Sequence, residues 1–239
     1  MKWLLTRPPV PRLQARFLDW QVQRALSCRP GHWQDTGSAV TAGQPWVALL
    51  HGLAAGAHMD RHWLTRLRRE GGLQVQLYSH HHPLSALVAD AQAAHRRGQA
   101  VVLFGFSQGG FMALRLARAL AAAQVPVRLL WMVAAGGLGR WYPAQWGFEP
   151  RKIPANVAEA VHVYAHGDVL GTDRHRLSNP IRAAHPATRI RNIELPRGVS
   201  HVALSATHPE RTDARVWREV VEGFLRRLEA LRSDGPPTH

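Results

Sequence analysis

Six short segments, apolar throughout or alternating apolar with polar, recur along the chain, separated by stretches in which apolar residues return at helical spacing. Residues 45–50, 100–104 and 127–133 are apolar with almost no polar relief, as expected of strands buried on both faces of a sheet. Residues 73–78, 161–165 and 188–195 read as three more strands, the last alternating polar with apolar. Between them the spacing predicts helices over about 58–70, 84–97 (closed by Gly98), 111–123 and 210–231. The last carries Val216, Val220, Phe224 and Leu228 on one face. A further helix is expected over 12–27, where Leu13, Phe17, Trp20 and Leu26 share a side. Strands alternating with helices imply an α/β protein with a mostly parallel central sheet covered on both faces.

One segment breaks this rhythm. Residues 138–160 hold Trp141, Tyr142, Trp146 and Phe148 between two expected core strands. They form either a long packed loop or a small cap over a site, since long structured insertions in compact domains are often functional. The organisation is otherwise that of a single domain over 1–239, with a disordered tail expected at 233–239. The apolar stretch Trp3-Leu4-Leu5 is too short for the core of a signal peptide, so a cytoplasmic protein is expected.

Composition narrows the classes. At 239 residues, 46% hydrophobic and 19% charged, the chain buries about 70% of its unfolded surface, enough for a core that needs no disulfide or structural metal. No apolar run reaches the length of a transmembrane helix. Cys28 is the single cysteine, which excludes a disulfide framework and cysteine-based metal sites. The net charge of +14 comes from 28 arginines and only two lysines, Lys2 and Lys152, against 16 acids. These arginines are spread along the chain rather than clustered among aromatics, so no nucleic-acid partner is expected. Association with an anionic surface stays open, because net charge acts on encounter rather than on fold.

The candidate chemistry lies at strand ends. Gly105-Phe106-Ser107-Gln108-Gly109 fits G-x-S-x-G, preceded by an apolar strand and followed by a breaker-free helix. That context is what a nucleophile elbow requires: small neighbours, a serine lifted clear of the sheet, and a helix N-terminus behind it. A serine hydroxyl needs a base, and the base needs an orienting acid. Asp168 follows the strand at 161–165 directly, with Asp173 as its rival. His201 lies in a glycine-containing loop beyond the last strand, with His208 as the alternative. An oxyanion would be held by the backbone N–H of Gln108, after the nucleophile, and that of Leu53 in His51-Gly52-Leu53. His51, Trp141 and Trp146 are the candidate substrate-binding residues. The run His80-His81-His82, with His58, Asp60 and His62 nearby in sequence, invites a metal reading. Adjacent residues on a short loop point apart, however, and no His-Glu-x-x-His pattern is present, so no metal is expected.

With the loop at 51–53, the elbow at 105–109, an acid at 168 and a histidine at 201, the chain resembles the α/β-hydrolase superfamily over roughly 45–231. It most resembles compact lipase-, esterase- and thioesterase-like serine hydrolases with small caps. The resemblance implies an eight-stranded, mostly parallel sheet and a Ser-His-Asp acyl-enzyme mechanism without fixing the substrate. A small-molecule ester or lipid is expected, the aromatic segment 138–160 favouring a hydrophobic acyl group, and no cofactor is expected. The same residues would serve an acyltransferase. A non-catalytic binding module on this fold is the reading from another class.

Overall fold

The computed structural model describes residues 43–53, 55–136, 149–166, 168, 170–171, 179–206 and 212–233. The expected helix at 12–27, Cys28, Trp141, Trp146, Asp173, His208 and the tail at 234–239 lie outside them. Among the described residues the strands are β1 (Trp46–His51), β2 (Gln74–Ser79), β3 (Val101–Phe106), β4 (Val127–Val133), β5 (Lys152–Ile153), β6 (Val157–Ala165), β7 (Arg182–Ala183) and β8 (Arg189–Leu195). Helix α1 joins Gly56–Met59, a wider π-helical turn Asp60–Leu64, and Thr65–Glu70. Then come α2 (Leu84–Arg96) and α3 (Gln108–Ala122). Last is α4, which joins Ala214–Val216, a second π-helical turn Trp217–Glu222, and Gly223–Ser233.

Six strands form one all-parallel sheet in the order β2-β1-β3-β4-β6-β8. All six segments expected as strands therefore lie in this sheet. The resemblance implies eight strands; six make up the sheet among the described residues, and β5 pairs with β7 in a separate two-residue ribbon. The segment 138–160, open between packed loop and cap, ends inside the sheet. Val157 and Ala160 are buried in the sheet as part of β6, and Glu159 turns outward to meet Arg227 at 2.6 Å. The part of 138–160 before Glu149, with its aromatic residues, lies outside the described residues.

The absence of alternation in β1 has a direct structural reading. Val47 and Leu49 pack on one face with Trp63, Leu67, Phe104, Trp131 and Phe224; Trp46, Ala48 and Leu50 pack on the other with Leu87, Leu114 and Leu130. Helices α1 and α4 cover the first face, α2 and α3 the second. Trp63 lies 4.5 Å from the Phe104 ring, and Phe224 lies 5.0 Å from Phe104 and 5.6 Å from Trp131, centroid to centroid. Burying each such ring stabilises the fold by about 1.5–3 kcal/mol. Edge strand β8 shows solvent Arg189, Arg191 and Glu194, charges that discourage pairing with another chain. Among the described residues no helix is long and apolar enough to cross a membrane.

Strand order reverses between β1 and β3, since β1 connects outward to β2 and the chain then returns to β3. In open parallel sheets, the carboxyl ends of the strands on either side of such a reversal border a ligand-binding crevice.

Candidate active site

Ser107 stands between β3 and α3 with φ 56° and ψ −124°, a conformation costing about 1–3 kcal/mol for a residue with a side chain. The surroundings hold it there. Its N–H donates to the Val133 carbonyl at the end of β4 (2.9 Å), and its carbonyl accepts from Gly110 N–H (2.9 Å). Helix α3 begins at Gln108, three residues before the start expected from the sequence. The early start brings Gly109 and Gly110 into its first turn. Glycine disfavours helix by about 1 kcal/mol, but close packing decides here: a Cβ on Gly109 would collide with the Leu50 carbonyl of β1.

His201 reaches the serine from beyond β8. Ser107 Oγ–H donates to His201 Nε2 at 2.9 Å, and His201 Nδ1–H donates to Asp168 Oδ2 at 2.8 Å. The tautomer follows from the partners: an ionised carboxylate only accepts, so Nδ1 carries the proton and Nε2 presents its lone pair to the hydroxyl. Asp168 in turn accepts at Oδ1 from the N–H groups of Leu170 (3.1 Å) and Gly171 (3.0 Å). The carboxylate is nearly buried, its side chain 4% exposed against 13% for His201. Beneath the imidazole lies Phe106, ring centroids 5.2 Å apart. The loop carrying His201 is pinned to α1, where Trp63 Nε1–H donates to the Ser205 carbonyl at 2.8 Å.

The loop after β1 closes the site from the other side. A Cβ on Gly52 would fall 2.7 Å from Ser107 Cβ and 3.0 Å from Gln108 N, so only glycine lets this loop approach the elbow. Leu53 follows it directly. Gln108 N–H belongs to the first turn of α3, whose donors have no acceptor within the helix. His51 is fully buried, and its Nδ1–H donates to the Gly52 carbonyl at 2.8 Å, bracing the loop from inside. Among the sequence-derived candidates, the fold thus brings together Ser107, Asp168, His201, Gln108 and the 51–53 loop.

The remaining histidines are set apart. His80 and His82 are buried beyond β2, with His51 and His80 ring centroids 6.2 Å apart and His80 and His81 3.8 Å apart. Burial drives the imidazoles of His51 and His81 down to about 4, and that of His80 well below its ordinary value. Among the described residues no group of three or more His, Cys, Asp or Glu is arranged to hold a metal ion.

Sequence reasoning missed the strap Ala134-Ala135-Gly136 and the residue behind it, Arg151. Gln108 Nε2–H donates to the Gly136 carbonyl at 3.3 Å, and Arg151 Nη1–H donates to the Ala135 carbonyl at 2.8 Å. In sequence Arg151 sits between Pro150 and Lys152 with nothing to set it apart from the other arginines.

A parallel sheet flanked by helices on both faces, with a strained serine elbow at the reversal of strand order, defines the α/β-hydrolase fold. Among solved structures, the chain is similar to the type II thioesterase BorB from the borrelidin biosynthetic cluster, at 13% identity over 84% of this chain and 98% of that one (TM-score 0.51). It is likewise similar to an arylesterase, at 10% identity over 96% of this chain and 95% of that one (TM-score 0.50). No protein-family model and no curated protein matches the sequence.

Proposed function

We propose that the chain is a serine hydrolase of carboxylic esters or thioesters. The observation that carries this reading is the unbroken hydrogen-bonded line from Ser107 through His201 to Asp168, built on a strained elbow at a helix N-terminus. Ser107 Oγ attacks the substrate carbonyl as its proton passes to His201 Nε2. Asp168 holds the imidazole in place and stabilises the imidazolium. The tetrahedral oxyanion sits against the N–H groups of Leu53 and Gln108, with the positive end of α3 behind it. On collapse the bond to the leaving oxygen or sulfur breaks, and His201 returns its proton to the leaving group. Water then attacks the acyl-enzyme while His201 takes its proton, and the carboxylic acid departs with Ser107 restored. Leu170 and Val202, 45% and 71% exposed, flank Asp168 and His201 and favour a substrate with an apolar portion; Trp141 and Trp146 are assigned to the same role.

The test is intact-mass spectrometry after exposure to a fluorophosphonate. Wild type should gain a single adduct and Ser107→Ala none. A folded wild-type protein that gains no adduct would sink the reading in favour of a binding module. Transfer of the acyl group to an added alcohol in preference to water would make the protein an acyltransferase.

A further inference from the structure

Arg151 is buried at 9% exposure, between the two halves of the site. Its guanidinium donates from Nη1 to the Ala135 carbonyl (2.8 Å) and from Nη2 to Asn179 Oδ1 (3.1 Å), and lies over the Phe111 ring, 6.0 Å from its centroid. Its own carbonyl accepts from Arg182 N–H of β7 at 2.8 Å.

What it holds matters more than how it is held. The strap 134–136 runs from the end of β4 across the floor of the site. On one side it meets the elbow: Ala135 Cβ occupies the space that a Cβ on Gly110 would need, and Gln108 bonds the Gly136 carbonyl. On the other it meets the acid turn: a Cβ on Gly136 would collide with the Gly171 backbone, and one on Gly171 would lie 3.2 Å from Ala134 Cβ. Gly171 N–H is a donor to Asp168 Oδ1. The strap is therefore the packed link between the segment presenting Ser107 and the turn presenting Asp168. Phe111 lies one helical turn beyond Ser107 in α3, so Arg151 also touches the elbow helix directly.

We propose that Arg151 is a positioning residue for this site, its guanidinium clamping the strap so that Ser107 and Asp168 hold their common registry with His201. This rests on the serine-hydrolase reading. A buried guanidinium suits the task because its planar fork reaches two acceptors from different segments at once. A displacement of about 1 Å at the reacting groups costs roughly 100-fold in rate.

Arg151→Met and Arg151→Lys are compared with wild type in the rate of fluorophosphonate labelling at Ser107 and in kcat and KM on a short-chain p-nitrophenyl ester. Asn156→Ala is the control for lost stability. Asn156 bonds the Ala117 and Val125 carbonyls, at the end of the sheet away from the site. Arg151→Met is expected to slow labelling and lower kcat by about 10- to 100-fold, with KM within about twofold of wild type. Arg151→Lys, which keeps the charge but replaces the two-pronged fork with a single donor nitrogen, should recover only part of that loss. Asn156→Ala should label at the wild-type rate at a temperature where circular dichroism shows both variants folded. Wild-type labelling in Arg151→Met, or equal slowing in Asn156→Ala, overturns the positioning role and leaves the hydrolase reading standing. No labelling of wild type itself removes that reading, and this role with it. Should Arg151→Met not fold, Asn179→Ala removes the acceptor of Nη2 alone; it must still slow labelling severalfold, and a wild-type rate there overturns the role.

Discussion

His201 and His80 both lie beyond the carboxyl ends of edge strands, β8 on one side of the sheet and β2 on the other, yet their rings meet opposite surroundings. Both nitrogens of His201 are engaged, one by a carboxylate and one by a hydroxyl, and the ring keeps a little contact with solvent. His80 is buried with neither ring nitrogen bonded among the described residues, packed against His81 and near His51. The first environment ties the ring between an acceptor and a hydroxyl. The second penalises the cation through desolvation, with neighbouring rings adding repulsion, so the ring stays neutral. Residue type and a place beyond a strand's carboxyl end are common to both; the partners within about 3 Å of the ring nitrogens tell them apart.

The largest effect expected on this contrast comes from His201→Ala, which should lower kcat on the order of 10⁶-fold. Asp168→Asn should follow at about 10⁴-fold, because the amide no longer selects the tautomer that leaves Nε2 free to accept. Both are read by ester hydrolysis, and a loss under tenfold in either would separate the hydrogen-bonded line from the chemistry.

The buried group predicts a different phenotype, one of stability. His51, His80 and His81 bind protons in the folded protein only well below the pH at which an unfolded histidine, near 6.5, takes one. As pH falls from 6.5 towards 4 the unfolded chain gains protons that the folded chain does not. Stability must therefore decline through this window, by of order 1 kcal/mol per pH unit for each such ring. Urea-unfolding midpoints at several pH values measure the decline; a midpoint that stays flat down to pH 4 would contradict it.

Smallest and most specific is His80→Leu, which removes a buried polar ring with no bond among the described residues and fills similar volume. It should raise the urea midpoint at pH 7 by an amount worth about 1 kcal/mol and make the acid decline shallower. A lowered midpoint would show that the ring makes a bond in solution.

The sheet was legible because strands covered on both faces leave a crude signal: runs such as 45–50 and 127–133 carry side chains to both sides of the sheet and need almost no polar positions. The elbow was legible because its glycines answer a local steric demand at fixed spacing. Boundaries were less legible. The start of α3 at Gln108 depends on the approach of Gly109 to β1, which helix propensity opposes. The early start of β6 at Val157 depends on Glu159 finding Arg227 of α4, far along the chain. Arg151 was hidden because its meaning comes from acceptors at 135 and 179, neither of them near it in sequence.

By itself, then, the sequence determined the layered α/β architecture, the parallel strands and the tight turn at Ser107, since each follows from local pattern and local sterics. It also narrowed the base and acid to a few residues at strand ends. The tertiary structure alone decided which histidine meets the serine, which rings are sealed away neutral, and which backbone segments link the elbow to the acid turn. Those outcomes depend on distances between strand ends brought side by side by the sheet, and hydrogen bonding and desolvation act only over such short distances.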